Sequence, residues 1–172
     1  MKILVTGGLG FIGSHTVVAL QNKGYEVIVV DDLSNSTIQI LEGITNITSS
    51  TPEFEKLDLR DKVNVKEFFT NHQDISGIIH FAASKAVGES VENPLLYYEN
   101  NIASLTYLLQ NLVKLPKQNI IFSSSCTVYG EANTLPIIEE APVQEAISPY
   151  GNTKQIGEEI IKDTCSAYHK LK

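Results

Sequence analysis

The sequence predicts an α/β protein built on a doubly wound parallel sheet of about five strands, and three observations carry that prediction. Apolar runs alternate with amphipathic segments along the whole chain. The runs Val27-Ile28-Val29-Val30 and Ile78-Ile79-His80-Phe81 are apolar at nearly every position, as strands covered by helices on both faces require. Glycines at 7, 10 and 13 separate the first apolar run from the first amphipathic segment, where a strand must turn sharply into a helix.

The predicted strands are Lys2–Thr6, Glu26–Asp31, Phe54–Asp58, Gly77–Phe81 and Asn119–Ser124. Helical spacing of apolar residues falls near Phe11–Lys23, Lys62–His72, Leu95–Lys114 and Pro149–Leu171. Gly24 suits the stop of the first helix, because a residue just past a helix end is commonly left-handed. Ser34–Ser50 is ambiguous, since its Thr and Asn side chains compete with the backbone for hydrogen bonds. Glu131–Ser148, punctuated by Pro136, Pro142 and the following Pro149, reads as a loop long enough to expect a function for it.

Composition narrows the functional classes. The 172 residues are 42% hydrophobic and 19% charged, which is enough apolar material for one domain with its own core. The net charge of −7 argues against nucleic acid or an anionic membrane as the main partner. Cys126 and Cys165 are too few and too far apart for a disulfide framework or a zinc site, so no metal is expected. Reduced thiols suggest the cytoplasm. The first residues lack a charged-then-apolar leader, and no stretch approaches the ~20 apolar residues of a membrane span.

The glycine spacing at Gly7, Gly10 and Gly13 fits a turn that lets backbone approach a pyrophosphate, with the free N–H groups of a helix N-terminus beyond it. Such a pattern is weak in isolation. Here it follows a strand, opens a helix, and is followed by Asp31 at the end of the second predicted strand. That is the ~20-residue offset of the carboxylate that holds a ribose in dinucleotide-binding Rossmann folds. Asp31 would accept from a 2′-hydroxyl and repel a 2′-phosphate; Asp32 adds negative charge, and no Lys or Arg is near in sequence. NAD is therefore expected over NADP. Such a fold normally continues with a sixth strand, which would begin where this chain stops. The expected organisation is one NAD-binding Rossmann domain over residues 1–172, truncated before its later strands and a substrate domain.

Tyr150 and Lys154 are four residues apart and would share a helix face. A free phenol, with a pKa of about 10, is a poor base near neutrality, and lowering it three units takes about 4 kcal/mol. One cation at ~5 Å, with an effective dielectric of ~20, supplies roughly 3 kcal/mol. Lys154 falls slightly short without help, and the positive nicotinamide of NAD would complete the effect. The same spacing also suits a plain surface pair. Ser125, closing the run Ser123-Ser124-Ser125, is a candidate donor to a reacting hydroxyl, though such serines also satisfy backbone groups at strand ends.

Taken together, Gly7–Gly13, Ser123-Ser124-Ser125 and Tyr150…Lys154 resemble the extended short-chain dehydrogenase/reductases. The segments Thr6–His15, His80–Val91 and Ser123–Gly130 are similar, more narrowly, to the N-terminal half of the UDP-glucose 4-epimerase family. The resemblance covers nearly all 172 residues. It implies that Phe11 and Ile12 offer amides to the pyrophosphate. Asp31, Asp32, Leu33, Ser34, Asn35 and Ser36 would surround the adenosine ribose, and Asp58 and Leu59 would flank adenine. Phe81, Ala82, Ala83, Ser84 and Lys85 would line the middle of the cofactor, with Asn100 close by. Tyr150, Lys154 and Ser125 would form the catalytic set, Ser125 and Tyr150 touching a UDP-hexose. The implied reaction interconverts UDP-glucose and UDP-galactose through a 4-keto sugar, in galactose metabolism.

The resemblance also implies a homodimer through helices near Leu95–Lys114 and Pro149–Leu171, whose apolar residues would equally serve an ordinary core. Two positions depart from the family pattern: Cys126, expected as a packed thiol, and Ser84. Related dehydratases and decarboxylases need an extra acid near the serine strand, and Ser124-Ser125-Cys126-Thr127 contains none. A non-catalytic NAD-binding module is the other alternative.

Overall fold

The computed structural model describes residues 1–131 and 134–172. Five strands, β1 (Lys2–Thr6), β2 (Glu26–Asp31), β3 (Glu53–Lys56), β4 (Ile75–His80) and β5 (Ile120–Phe122), form one parallel sheet in the order β3-β2-β1-β4-β5. The helices are α1 (Phe11–Asn22), α2 (Ile40–Thr48), α3 (Lys62–Asn71), α4 (Val87–Glu92), α5 (Pro94–Tyr98), α6 (Ser104–Leu112) and α7 (Pro149–Ala167). A π-helical stretch, Glu99–Ala103, joins α5 to α6, and a short 3₁₀ turn, Cys126–Tyr129, follows β5.

Period-two alternation distributes the strand residues between two cores. Ile3, Val5, Val27 and Val29 pack with Val17 of α1 and Ile44 of α2 on one face. Leu4, Ile28, Val30 and Ile78 pack with Phe68 of α3 and with Leu105, Leu108 and Leu112 of α6 on the other. This double coverage is why the strands read as continuous apolar runs. The same leucines of α6 are buried within the chain itself.

The structure adjusts several sequence expectations. β3 and β5 are shorter than expected at their C-terminal ends, and β4 begins earlier and stops at His80. Ser34–Ser50 contains α2, held by Ile44 in the core; the hydroxyls of Thr45 and Thr48 turn back onto the carbonyls of Leu41 and Ile44 (2.8 and 2.9 Å) instead of breaking the helix. The single helix expected over Leu95–Lys114 is three pieces. Pro94 opens α5, and the π-helical stretch absorbs an extra residue where the Asn100 and Asn101 side chains are committed to Ser84. Gly24 adopts φ 79° after α1, as a helix stop requires. In the expected loop Glu131–Ser148, the described residues hold neither helix nor strand; Ala132 and Asn133 lie outside the described residues. α7 stops at Ala167, after which Leu171 bridges to Gln118 and the Lys172 carbonyl accepts from the Ile120 N–H (2.8 Å), on the edge of β5.

Candidate active site

The strand ends align in register: Thr6 with Val30 on one side and with His80 on the other, and His80 with Phe122. After β1 the chain builds β2 and β3 on one side, then crosses to β4 on the other, so the loops part at β1 and leave a crevice of about 630 Å³. Gly7, Gly10, Phe11, Ile12 and Gly13 line it, with Asp31, Asp32, Ser34, Asn35, Ser36, Asp58 and Leu59 toward one end. Phe81, Ala82, Ala83, Ser84, Lys85, Asn100, Tyr150 and Lys154 also line it. Leu33 and Ser125 are not among the lining residues. Val30, Leu57, Ala86, Glu89, Leu96, Ser104, Ser123 and Ser124 line it without having been singled out from sequence. Ser123 and Ser124 belong to a run that was legible; Glu89, Leu96 and Ser104 reach the crevice only through the packing of α4 to α6.

The glycine turn is shaped by what a side chain would strike. Gly7 has φ 65°, and a Cβ there would lie 2.8 Å from the Ala82 nitrogen. A Cβ on Gly13 would lie 2.2 Å from the Gly7 carbonyl oxygen. Helix α1 begins after Gly10 with no side-chain cap, so its first N–H groups remain available, with a positive dipole end, to an anion in the crevice. Tight backbone, an uncapped helix start and a carboxylate at the end of β2 fit a dinucleotide.

Asp31 does more than face the crevice. Its carboxylate accepts from the Leu9 N–H (3.1 Å), the Leu33 N–H (3.0 Å) and the Ser36 hydroxyl (2.8 Å), tying the glycine turn to the loop after β2. Leu33 stands in the left-handed region at φ 63°, and its side chain packs against the α1/α2 core. The structure also brings a cation, Arg60, near enough to Asp32 to feel its charge, which the sequence around Asp31 did not show. Arg60 forks onto Asp58 through Nε (3.0 and 3.1 Å) and Nη2 (2.7 Å), and this pair holds the Asp58 carboxyl below its ordinary range.

At the other end, the π-helical asparagines organise the loop after β4. Asn101 accepts from the Ser84 N–H (2.8 Å) and donates to the Ser84 carbonyl (3.0 Å) and to Thr153 Oγ1 on α7 (3.0 Å). Asn100 donates to Ser84 Oγ (2.7 Å). Asn101, bonded to both Ser84 and Thr153, is thus the joint between this loop and α7.

Helix α7 starts where Ser148 caps it by accepting from the Gly151 N–H (3.1 Å), with Pro149 in its first turn. This places Tyr150 in the first turn and Lys154 one turn on. Lys154 is 4% exposed, and its ammonium donates to the Ser123 carbonyl (2.8 Å). It also sits 4.7 Å from the centroid of the Phe122 ring and 5.9 Å from that of Tyr150. Burial brings its pKa down to about 8. Tyr97 meets Tyr150 edge-on at 6.5 Å, but burial and its bond to Glu89 (2.6 Å) push its phenol up to about 12, so it remains a donor.

Ser125 caps the 3₁₀ turn, its Oγ accepting from the N–H (3.3 Å) and hydroxyl (3.0 Å) of Thr127. Cys126, expected to be packed, is exposed, because it opens that turn on the solvent side. The sequence run 124–127 holds no acid, yet Glu158 of α7 bonds to the Ser124 hydroxyl; Glu158 itself does not line the crevice. Among the described residues, Glu53, Glu55 and His72 bring possible metal ligands together at the far end of the sheet. There the two ring nitrogens of His72 face different carboxylates (Nε2 to Glu55 at 2.6 Å, Nδ1 to Glu53 at 3.8 Å), away from the crevice. Among the described residues, no helix is long and apolar enough to cross a membrane.

Comparison with known proteins agrees with the geometry. The pattern of the NAD dependent epimerase/dehydratase family matches residues 3–172. The chain is 45% identical over 171 residues to the UDP-glucose 4-epimerase of Haemophilus influenzae, covering 99% of this chain and 50% of that protein. It is 47% identical over 167 residues to that of Bacillus subtilis, covering 97% and 49%. The Bifidobacterium longum UDP-glucose 4-epimerase, solved with NAD+ and UDP, superposes with a TM-score of 0.93 at 44% identity, over 97% of this chain and 50% of that one. The Thermotoga maritima UDP-glucose 4-epimerase, solved with UDP-glucose, gives 0.88 at 34% identity, over 98% and 52%. The chain spans about half the length of these relatives. With the glycine turn, Asp31 and the Tyr150/Lys154 pair gathered on one crevice, the chain belongs to the NAD dependent epimerase/dehydratase family.

Proposed function

We propose that this chain is the NAD-binding, proton-handling half of a UDP-glucose 4-epimerase. The observation that carries the reading is the buried Lys154 ammonium beside Tyr150, in the same crevice as the uncapped start of α1. Gly7, Gly10, Phe11, Ile12 and Gly13 would hold the pyrophosphate, Asp31 to Ser36 the adenosine ribose, and Asp58 and Leu59 the adenine. Ser84, Lys85 and Asn100 would hold the nicotinamide end. When bound, NAD supplies a hydride acceptor that also returns the hydride.

Tyr150 takes the proton of the sugar 4-hydroxyl. Lys154 stabilises the phenolate electrostatically, and its bond to Ser123 fixes the ammonium on that side of the ring. Ser125 already accepts twice from Thr127, so its own proton is the one it can give to the sugar oxygen. The run Ser124-Ser125-Cys126-Thr127 holds no acid, and Glu158, engaged by Ser124, does not line the crevice; this supports epimerisation over elimination or decarboxylation.

Calorimetry with NAD and NADP, followed by reduction of the bound nicotinamide on adding UDP-galactose, tests this reading. NAD should bind at least ten-fold more tightly than NADP. Tyr150→Phe should keep NAD while slowing reduction at least a hundred-fold. Absence of NAD binding overturns the cofactor assignment. Binding without any reduction, in the chain or in a protein extended to the length of its relatives, favours a non-catalytic NAD-binding module.

A further inference from the structure

We propose that Phe122 is a positioning residue for Lys154: its ring is the seat of the buried ammonium, and Gly157 keeps that seat open. The proposal rests on the reading that Tyr150 and Lys154 handle the sugar proton, and extends it to residues outside the Tyr-x-x-x-Lys spacing.

The ammonium has one hydrogen-bond acceptor among the described residues, the Ser123 carbonyl. An ammonium carries three donors. On its other side lies the face of Phe122, 4.7 Å from ring centroid to Nζ, inside the range in which the negative face of a ring attracts a cation. That attraction strengthens where water is excluded, and Lys154 is 4% exposed.

The ring is fixed from two directions. On the neighbouring strand, in register with it, the imidazole of His80 stacks at 6.0 Å with an interplanar angle of 20°. At its rim, Gly157, one turn beyond Lys154 on α7, has no side chain; a Cβ there would come within 2.8 Å of Phe122 Cζ and 3.2 Å of Cε1. Gly157 has no need of unusual backbone angles in the middle of a helix, where glycine costs about 1 kcal/mol against alanine. The space it leaves is occupied by the ring that seats the lysine.

The titratable groups around the ammonium are Tyr150 on the preceding turn, Glu158 on the following turn, and His80, stacked with the Phe122 ring. Glu158 is engaged by Ser124, and burial keeps His80 neutral. The Ser123 carbonyl and the Phe122 ring, with the Tyr150 ring farther off at 5.9 Å, therefore stand as the contacts that favour a charged Lys154 against burial, which pulls its proton affinity down.

The test is a carbon-13 titration of the chain labelled at lysine Cε, with Lys154→Arg assigning the resonance by its loss. Phe122→Leu, and a pentafluorophenyl ring introduced at position 122, should each lower the Lys154 midpoint by about one pH unit. Gly157→Ala should lower it in the same direction by displacing the ring. The fluorinated ring keeps shape and reverses the charge of the face, so it decides the matter even if Phe122→Leu fails to fold. An unchanged midpoint with the fluorinated ring overturns the proposal and leaves Phe122 as packing. The titration needs neither NAD nor sugar. A lowered midpoint with no sugar oxidation by the wild type would sustain the seat while overturning the epimerase reading.

Discussion

Thr6 and His80, 74 residues apart in sequence, share a 2.7 Å hydrogen bond between Thr6 Oγ1 and His80 Nδ1 at the ends of β1 and β4. Both are buried, and the same Thr6 oxygen accepts from the Ala82 N–H (3.4 Å). The bond therefore pins the start of the crevice loop to the strand that carries the glycine turn.

His80 makes the fold sensitive to acid. Burial, and secondarily the charge of Lys154, lower its pKa to about 3 from an ordinary 6.5. Between these values the unfolded chain binds a proton that the folded chain refuses. The stability is fully present above pH ~6.5 and is lost as the pH falls toward ~3, by about 3 kcal/mol at pH 4. Urea unfolding of wild type and His80→Gln at pH 7 and pH 4 checks this: the variant should start weaker and lose about 3 kcal/mol less between the two. Equal losses would show that His80 does not carry the acid sensitivity.

Lys154 acts in the opposite pH range. Its folded pKa of about 8 lies below the ordinary 10.5, so the unfolded chain retains its proton longer, and stability rises as pH climbs from ~8 to ~10.5. Lys154→Met should therefore stabilise the fold at pH 7 by up to ~3 kcal/mol, with the gain vanishing near pH 10.5. The same variant should abolish sugar oxidation. Thermal unfolding at pH 7 and pH 10 measures the first effect, and a lower melting point at pH 7 would contradict it.

Asp31→Ala should weaken both fold and cofactor binding. It leaves the Leu9 and Leu33 N–H groups and the Ser36 hydroxyl without their shared acceptor, at a cost of ~2–4 kcal/mol. NAD affinity should fall at least ten-fold. Asp31→Asn, which keeps one acceptor oxygen, should fall between wild type and alanine in both chemical denaturation and calorimetry.

Gly13→Ala tests the glycine turn directly. Its Cβ would lie 2.2 Å from the Gly7 oxygen, which is backbone and cannot swing aside as a side chain end does. Destabilisation of ~2–4 kcal/mol is expected, with loss of NAD binding. Gly43→Ala, on α2 with nothing within 4 Å of its would-be Cβ, is the matched control and should be neutral or slightly stabilising. Equal effects at the two positions would remove the steric argument.

Much of the site was legible because its signals are local. The glycine spacing, the carboxylate after the second strand and the Tyr/Lys interval each depend on a strand end or a helix turn, whose geometry a few residues dictate. What was missed depends on side chains from distant segments. Arg60 is remote from Asp32 along the chain, yet the pairing of β2 with β3 brings its charge within reach of that carboxylate. Glu158 lies 34 residues from the Ser124 it bonds. The break in the helix expected over Leu95–Lys114 came from asparagines serving Ser84 and Thr153, partners that no helical periodicity reveals.

By itself, the sequence determined the class of the sheet, the turn that opens it, and the placement of Tyr150 and Lys154 on one helix face, because periodicity and glycine sterics act over a few residues. The tertiary structure decided the environment of those groups. It withdrew Lys154 from water, gave it the Ser123 carbonyl and the Phe122 ring, and closed Thr6 onto His80. Burial and long-range pairing set the charge of an amine or an imidazole, and both arise only when the two cores pack onto the sheet.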